Sequence, residues 1–156
     1  MKKTVLLITL LFLFILAGCA MNNEPQLNVY ISGVDGSTAK WWTNDVEQSG
    51  LSGGNIATSV FVYKGDVYIC GIGGNYARWW KNGAAQSDLT DGTNFAYANS
   101  IFVYNEDVYI CGSDNNVAKW WKNGVEQDAL PDGTGAATIF VYKGDVYICG
   151  IGGNYA

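Results

Sequence analysis

The chain has 156 residues, enough for about one domain. Its formal net charge is −5, it contains no histidine, and 49% of its residues are hydrophobic. The acidic balance weighs against nucleic acid, whose binding needs a basic patch. The missing histidine removes the Ser-His-Asp triad, the Cys-His dyad and the common His-based zinc sites.

Residues 1–18 read as an export signal. Lys2 and Lys3 give a positive start, and residues 5–17 are apolar apart from Thr9. At ~1.5 Å per residue this run is shorter than the roughly 30 Å hydrocarbon core. Without Lys2 and Lys3, seven basic residues face fourteen acids, a net charge of −7.

The run ends in Leu16-Ala17-Gly18-Cys19. This segment resembles a bacterial lipobox. The resemblance implies diacylglyceryl transfer to the Cys19 thiol, cleavage before it, and membrane lipid as a partner. The implied address is the bacterial cell envelope, at the outer membrane or cell surface where the envelope has two membranes. The plain alternative is a cleaved signal with a chance cysteine. Residues 19–27 form a polar tether.

Residues 28–156 are one repeat, copied. Val-Tyr-Ile-x-Gly occurs at 29–33, 67–71, 108–112 and 146–150, and Trp-Trp at 41–42, 79–80 and 120–121. Residues 61–77 and 140–156 are identical. One unit reads as four strands, A to D. In the third copy, A covers 100–104, where β-branched and aromatic residues alternate. B covers 108–112 and C covers 117–122. Asn123-Gly124 predicts a two-residue hairpin turn, and D covers 125–130.

Four antiparallel strands every ~40 residues predict an all-β, propeller-like array of four-stranded blades. The expected units are a partial blade at 28–51, blades at 58–89 and 99–130, and a partial blade at 137–156. Adjacent strand residues point to opposite faces, so one tryptophan of each pair packs forward and one backward. A ligand-stacking platform is the second reading of these pairs. Cys70, Cys111 and Cys149 share one strand-B position, held by Ser32 in the first copy. They read as small buried residues.

The motifs at 107–112, 118–124, 89–93 and 98–104 resemble those of uncharacterised bacterial repeat lipoproteins with DVYVAG, YWKNG and LTDG-type repeats. That resemblance implies a β-propeller and no particular activity.

About three blades are fewer than the four to eight of closed propellers. The first expectation is a truncated frame or collapsed copies. Homo-oligomers that complete the ring, and a genuine open fragment, are the alternatives.

Strand alternation puts the A–B and C–D turns on one side and the B–C and D–A loops on the other. The first side hardly varies between copies; the second diverges. The candidate ligand site lies in the longest loop, with Asp91, Asn94, Phe95 and Tyr97 beside Asp114 and Asn115. Two aromatics among amides and carboxylates suit a glycan or protein ligand. The plain alternative is a solvated turn with Phe95 or Tyr97 tucked onto the blade. No cofactor, metal or catalytic residue is expected. The function reads as a non-enzymatic binding or scaffold lipoprotein, with a carboxylate-dependent glycosidase or lyase as the alternative.

Overall fold

The computed structural model describes residues 27–128 and 130–152. Cys19, the export signal and most of the tether lie outside the described residues. Among the described residues there is no helix, and thirteen strands form four antiparallel sheets.

The first sheet has three strands: β1 (Tyr30–Asp35), β2 (Thr38–Thr43) and β3 (Val46–Glu47). The second is β4 (Ile56–Tyr63), β5 (Asp66–Gly73), β6 (Tyr76–Lys81) and β7 (Ala84–Ala85). The third is β8 (Ala96–Tyr104), β9 (Asp107–Asp114), β10 (Val117–Lys122) and β11 (Val125–Glu126). The fourth is β12 (Gly133–Tyr142) with β13 (Asp145–Gly152). Each is a meander in sequence order, so β4, β8 and β12 hold the A position. In the first sheet β1 holds the B position.

The turns follow their residues. Asn82-Gly83 and Asn123-Gly124 place both central residues at positive φ, as does Asn44-Asp45. This is the hairpin geometry whose twist matches that of the flanking strands. The A–B turns Lys64-Gly65 and Lys143-Gly144 do the same, and Asn105-Glu106 puts Glu106 at φ 73°.

Successive sheets bury their faces against each other. One apolar cluster joins Trp41 and Leu51 of the first copy to Ile69 and Trp80 of the second. The next joins Tyr68, Cys70 and Leu89 to Ile101, Ile110 and Trp121, with Trp79 alongside. The third joins Tyr109 and Cys111 to Ile139 and Val141, with Trp120 alongside. The first tryptophan of each pair therefore faces the following sheet, and the second ring of the later pairs faces the preceding one. Trp80 and Trp121 are fully buried. Burying such a ring removes 150–250 Å² from water, about 4–6 kcal/mol at ~25 cal/mol per Å².

The A strands form the line along which the sheets meet. Phe61 and Phe102 have ring centroids 4.6 Å apart, and Phe102 and Phe140 5.0 Å. Polar rungs accompany this ladder. Thr58 Oγ1 donates to the Ala98 carbonyl (2.6 Å), and Asn99 Nδ2 donates to the Ala136 carbonyl (2.8 Å). The N–H groups of Ile101 and Ile139 donate to the hydroxyls of Ser59 and Ser100.

Three sequence expectations need correction. Strand D is two residues long, not six, because after Glu126 the chain keeps a single ladder bond, from Gln127 N–H to the Trp120 carbonyl. Ala96 and Tyr97 belong to strand β8 and not to the loop before it, because a bulge between Ala98 and Ser100 lets the A strand continue. Cys149 is exposed, whereas Cys70 and Cys111 are buried. The latter two have a following sheet packed on them; among the described residues Cys149 does not.

Candidate functional site

The two ends of the sheets differ in chemistry. At the A–B and C–D end the repeat motifs form a clamp. Asn82 Oδ1 accepts the Val67 N–H (2.8 Å), and its Nδ2 donates to Asp66 (2.8 Å). Lys81 Nζ lies 2.7 Å from the same carboxylate. Asn123, Val108, Asp107 and Lys122 repeat the arrangement at the same distances. The ammonium first and the amide second hold both aspartates below their ordinary carboxylate range. Each lysine also stands over a strand-B tyrosine, Lys81 over Tyr68 and Lys122 over Tyr109. In the first copy Asn44 caps Val29 and Asn28 in the same way, with an amide in place of the acid.

Further carboxylates along the sheets are also paired. Glu47 binds Lys40 and Glu126 binds Lys119 across strands, and Glu106 binds Lys64 (2.7 Å) between neighbouring A–B turns. The Lys-Asn-Gly and Asp-Val-Tyr motifs are thus structural staples. Sequence reading missed this, because the partners lie fifteen or sixteen residues apart across a hairpin.

The B–C and D–A end carries the six candidate residues, and it divides them. Asp91 accepts from Thr93 N–H (2.9 Å) and from Thr93 Oγ1 (2.7 Å). These bonds hold its carboxyl below the usual range. Asn94 Nδ2 donates to the Thr93 hydroxyl. Asp91 and Asn94 therefore shape their own turn. Gly92, at φ 75°, lies against the Tyr76 ring where a Cβ would collide. That fixes the loop onto the second sheet, and Ala96 N–H donates to the Asn75 carbonyl (3.0 Å).

Of the other four, Phe95, Tyr97 and Asn115 meet at the end of the third sheet, while Asp114 lies on its opposite face with Ala96. Phe95 is 57% exposed and its ring centroid lies 6.1 Å from that of Tyr97. Tyr97 is half-buried and leans toward the fourth sheet, its hydroxyl 3.0 Å from where a Cβ on Gly135 would be. Asn115 N–H donates to the Phe95 carbonyl (3.2 Å). Asp114 is directly opposite Ala96 in the sheet.

Ser113 belongs with them. It is fully buried where the other copies carry Ile72, Ile151 and Val34. Its hydroxyl and Asp114 Oδ1 are both buried without a hydrogen-bond partner. A Ser in place of Ile within a repeat was the available sequence signal.

A cavity of about 250 Å³ lies beside these residues, between the third and fourth sheets. Ala118 and Leu130 line it with Ile148 and Ile151. Ala118 and Leu130 correspond to Ala39 and Leu51, which pack with Trp80, and to Ala77 and Leu89, which pack with Trp121. The cavity is thus the repeat's indole socket at the third interface, and no carboxylate lines it.

Burial pushes the Cys70 and Cys111 thiols up to about 12. Among the described residues the three cysteines are free, and no three His, Cys, Asp or Glu side chains converge as metal ligands. Among the described residues no helix is long and apolar enough to cross a membrane.

No protein-family model, curated protein sequence or solved structure matches the chain.

Proposed function

We propose that this chain is a lipid-anchored extracytoplasmic binding module built as a propeller-like array of blades. Its ligand face is the B–C and D–A end, centred on Phe95 and Tyr97. One observation carries the reading: the copies share a scaffold, yet polar and aromatic change concentrates at one end of the third sheet. There an exposed Phe95 stands beside Tyr97 and Asn115, on the face that also carries the unpartnered hydroxyl of Ser113. Loops on a rigid scaffold are the usual seat of binding. Flat rings with adjacent amide and carboxylate groups suit a glycan or a polar protein surface. Asp91 and Asn94 support the loop and do not touch the ligand.

The blade arrangement is supported by the stacking of successive sheets and by their meeting along the A strands. The anchor is supported by the sequence around Cys19. The acidic charge favours glycan or protein over nucleic acid.

A glycan array probed with the whole chain and with Phe95→Ala and Tyr97→Ala variants tests the site. Selective loss of signal in the variants supports it, and equal signals refute it. Incorporation of labelled palmitate into the wild type, lost in Cys19→Ala, tests the anchor.

A further inference from the structure

The strand-B motif Val-Tyr-Ile-x-Gly ends in glycine in every copy, and three of the four glycines have a visible cause. A Cβ on Gly71, Gly112 or Gly150 would fall on the carbonyl oxygen of Ile56, Tyr97 or Gly135. Those carbonyls belong to the A strand of the same sheet, beside the bulges at 57–59, 98–100 and 133–138. Each glycine is required because a bulged A strand lies over it.

Gly33 is the fourth. Among the described residues β1 pairs only with β2, and no A strand covers it. A Cβ on Gly33 would meet only the Trp42 ring, at an ordinary 3.7 Å. The first sheet keeps the glycine that an A strand demands.

The neighbouring sheet carries the matching groups. In β8 and β12 the N–H groups of Ile101 and Ile139 take a serine hydroxyl from the preceding A strand. Val60 holds the equivalent place in β4. The carbonyls of Ala98 and Ala136 take a side-chain donor from that same strand, and Ala57 is their equivalent. The phenylalanine ladder starts at Phe61.

We infer that the free edge of β1 accepts an A-type strand, and that the donor is β12 of a second copy of this chain. The occupant must be extended, bulged, and carry a small hydroxyl residue two places before phenylalanine. This chain has that pattern at 59–61, 100–102 and 138–140. The first two lie between packed sheets. In β12, Thr138 and Phe140 are exposed.

The register is already written. β12 pairs Thr138 with Cys149 and Ile139 with Ile148; β1 offers Ser32 and Ile31 at those places. Reciprocal exchange trades one β12–β13 ladder for one β12–β1 ladder in each chain. Such exchange of an equivalent element is a low-cost route to a dimer. Among the described residues each chain then holds three complete four-stranded sheets, and two chains make six. That number falls within the four to eight blades that close a ring. This stoichiometry rests on the blade reading proposed above; the strand-accepting edge does not.

Native mass spectrometry of the whole chain, released from detergent, tests the inference. The expected result is a two-chain mass for the wild type and a one-chain mass for Gly33→Val, with the far-UV spectrum unchanged. A one-chain wild type overturns it. A Gly33→Val variant that stays a dimer also overturns it. If Gly33→Val fails to fold, covalent trapping decides. Ser32→Cys and Thr138→Cys are placed on separate chains, each also carrying Cys149→Ser, and mixed. Directly opposed strand residues lie within the 4.4–6.8 Å Cα range of a disulfide. A cross-linked pair of different chains supports the exchange, and its absence overturns it. A dimer that binds no glycan leaves this inference standing and refutes only the ligand face.

Discussion

The carbonyl oxygen of Tyr97 sits where a Cβ on Gly112 would have to be. The bulge that puts it there also carries β8 on to Ala96, so a candidate ligand residue and a motif glycine depend on one backbone irregularity.

Gly112→Ala forces that carbonyl away and opens the β8–β9 ladder. Overpacking of this kind costs about 3 kcal/mol. Urea unfolding is expected to show a midpoint well below the wild type. An unchanged midpoint would mean the bulge is not formed.

Glu106 takes φ 73°, where the equivalent turns carry Gly65 and Gly144. A non-glycine residue there costs roughly 1–2 kcal/mol. Its ion pair with Lys64 is exposed on both sides, so solvent screening leaves it too weak to offset that cost. Glu106→Gly is therefore expected to raise Tm by a few degrees in a thermal scan, despite the lost salt bridge.

The clamps make stability depend on pH. Asp66 and Asp107 have depressed values in the folded chain, below the ordinary 3.8 of an aspartate. Their contribution is complete above that value and is lost as pH falls through the lower folded value. Lys81 and Lys122 are raised above 10.5, so their contribution is present below that value and is lost as pH rises through the higher folded one. Tm is expected to be level between about pH 5 and 10 and to fall at both ends. The double variant Asp66→Asn, Asp107→Asn is expected to flatten the acid limb.

Thiol chemistry separates the cysteines. Cys70 and Cys111 are buried with values pushed up to about 12, while Cys149 is exposed. At pH 8 a maleimide is expected to label Cys149 within minutes and the other two only under denaturant, as mapped by peptide mass. Equal labelling of all three would contradict the packing.

Much of this was legible locally. The period-two runs marked strands A, B and C, and Asn-Gly marked the hairpins, because both signals depend on adjacent residues. Trp79-Trp80 and Trp120-Trp121 declared two buried faces for the same reason. What was not legible depends on distant partners. The Asp107–Lys122–Asn123 clamp forms only once β9 and β10 pair. The reason for the glycine after Cys111 lies in a bulge on another strand. Cys149 sits in an identical seventeen-residue segment to Cys70 yet is exposed, because burial there comes from the following sheet. Within the candidate loop Asp91 bonds Thr93 of its own exposed turn, a local contact, whereas the burial of Ser113 depends on the neighbouring sheet.

The central claim is that successive sheets stack face to face along their A strands. Proton cross-relaxation between rings measures it directly. With ring protons of Phe61, Phe102 and Phe140 assigned, the account predicts cross-peaks from Phe61 to Phe102 and from Phe102 to Phe140, at centroid distances of 4.6 and 5.0 Å. Strong cross-peaks within each sheet with none between these rings would contradict it.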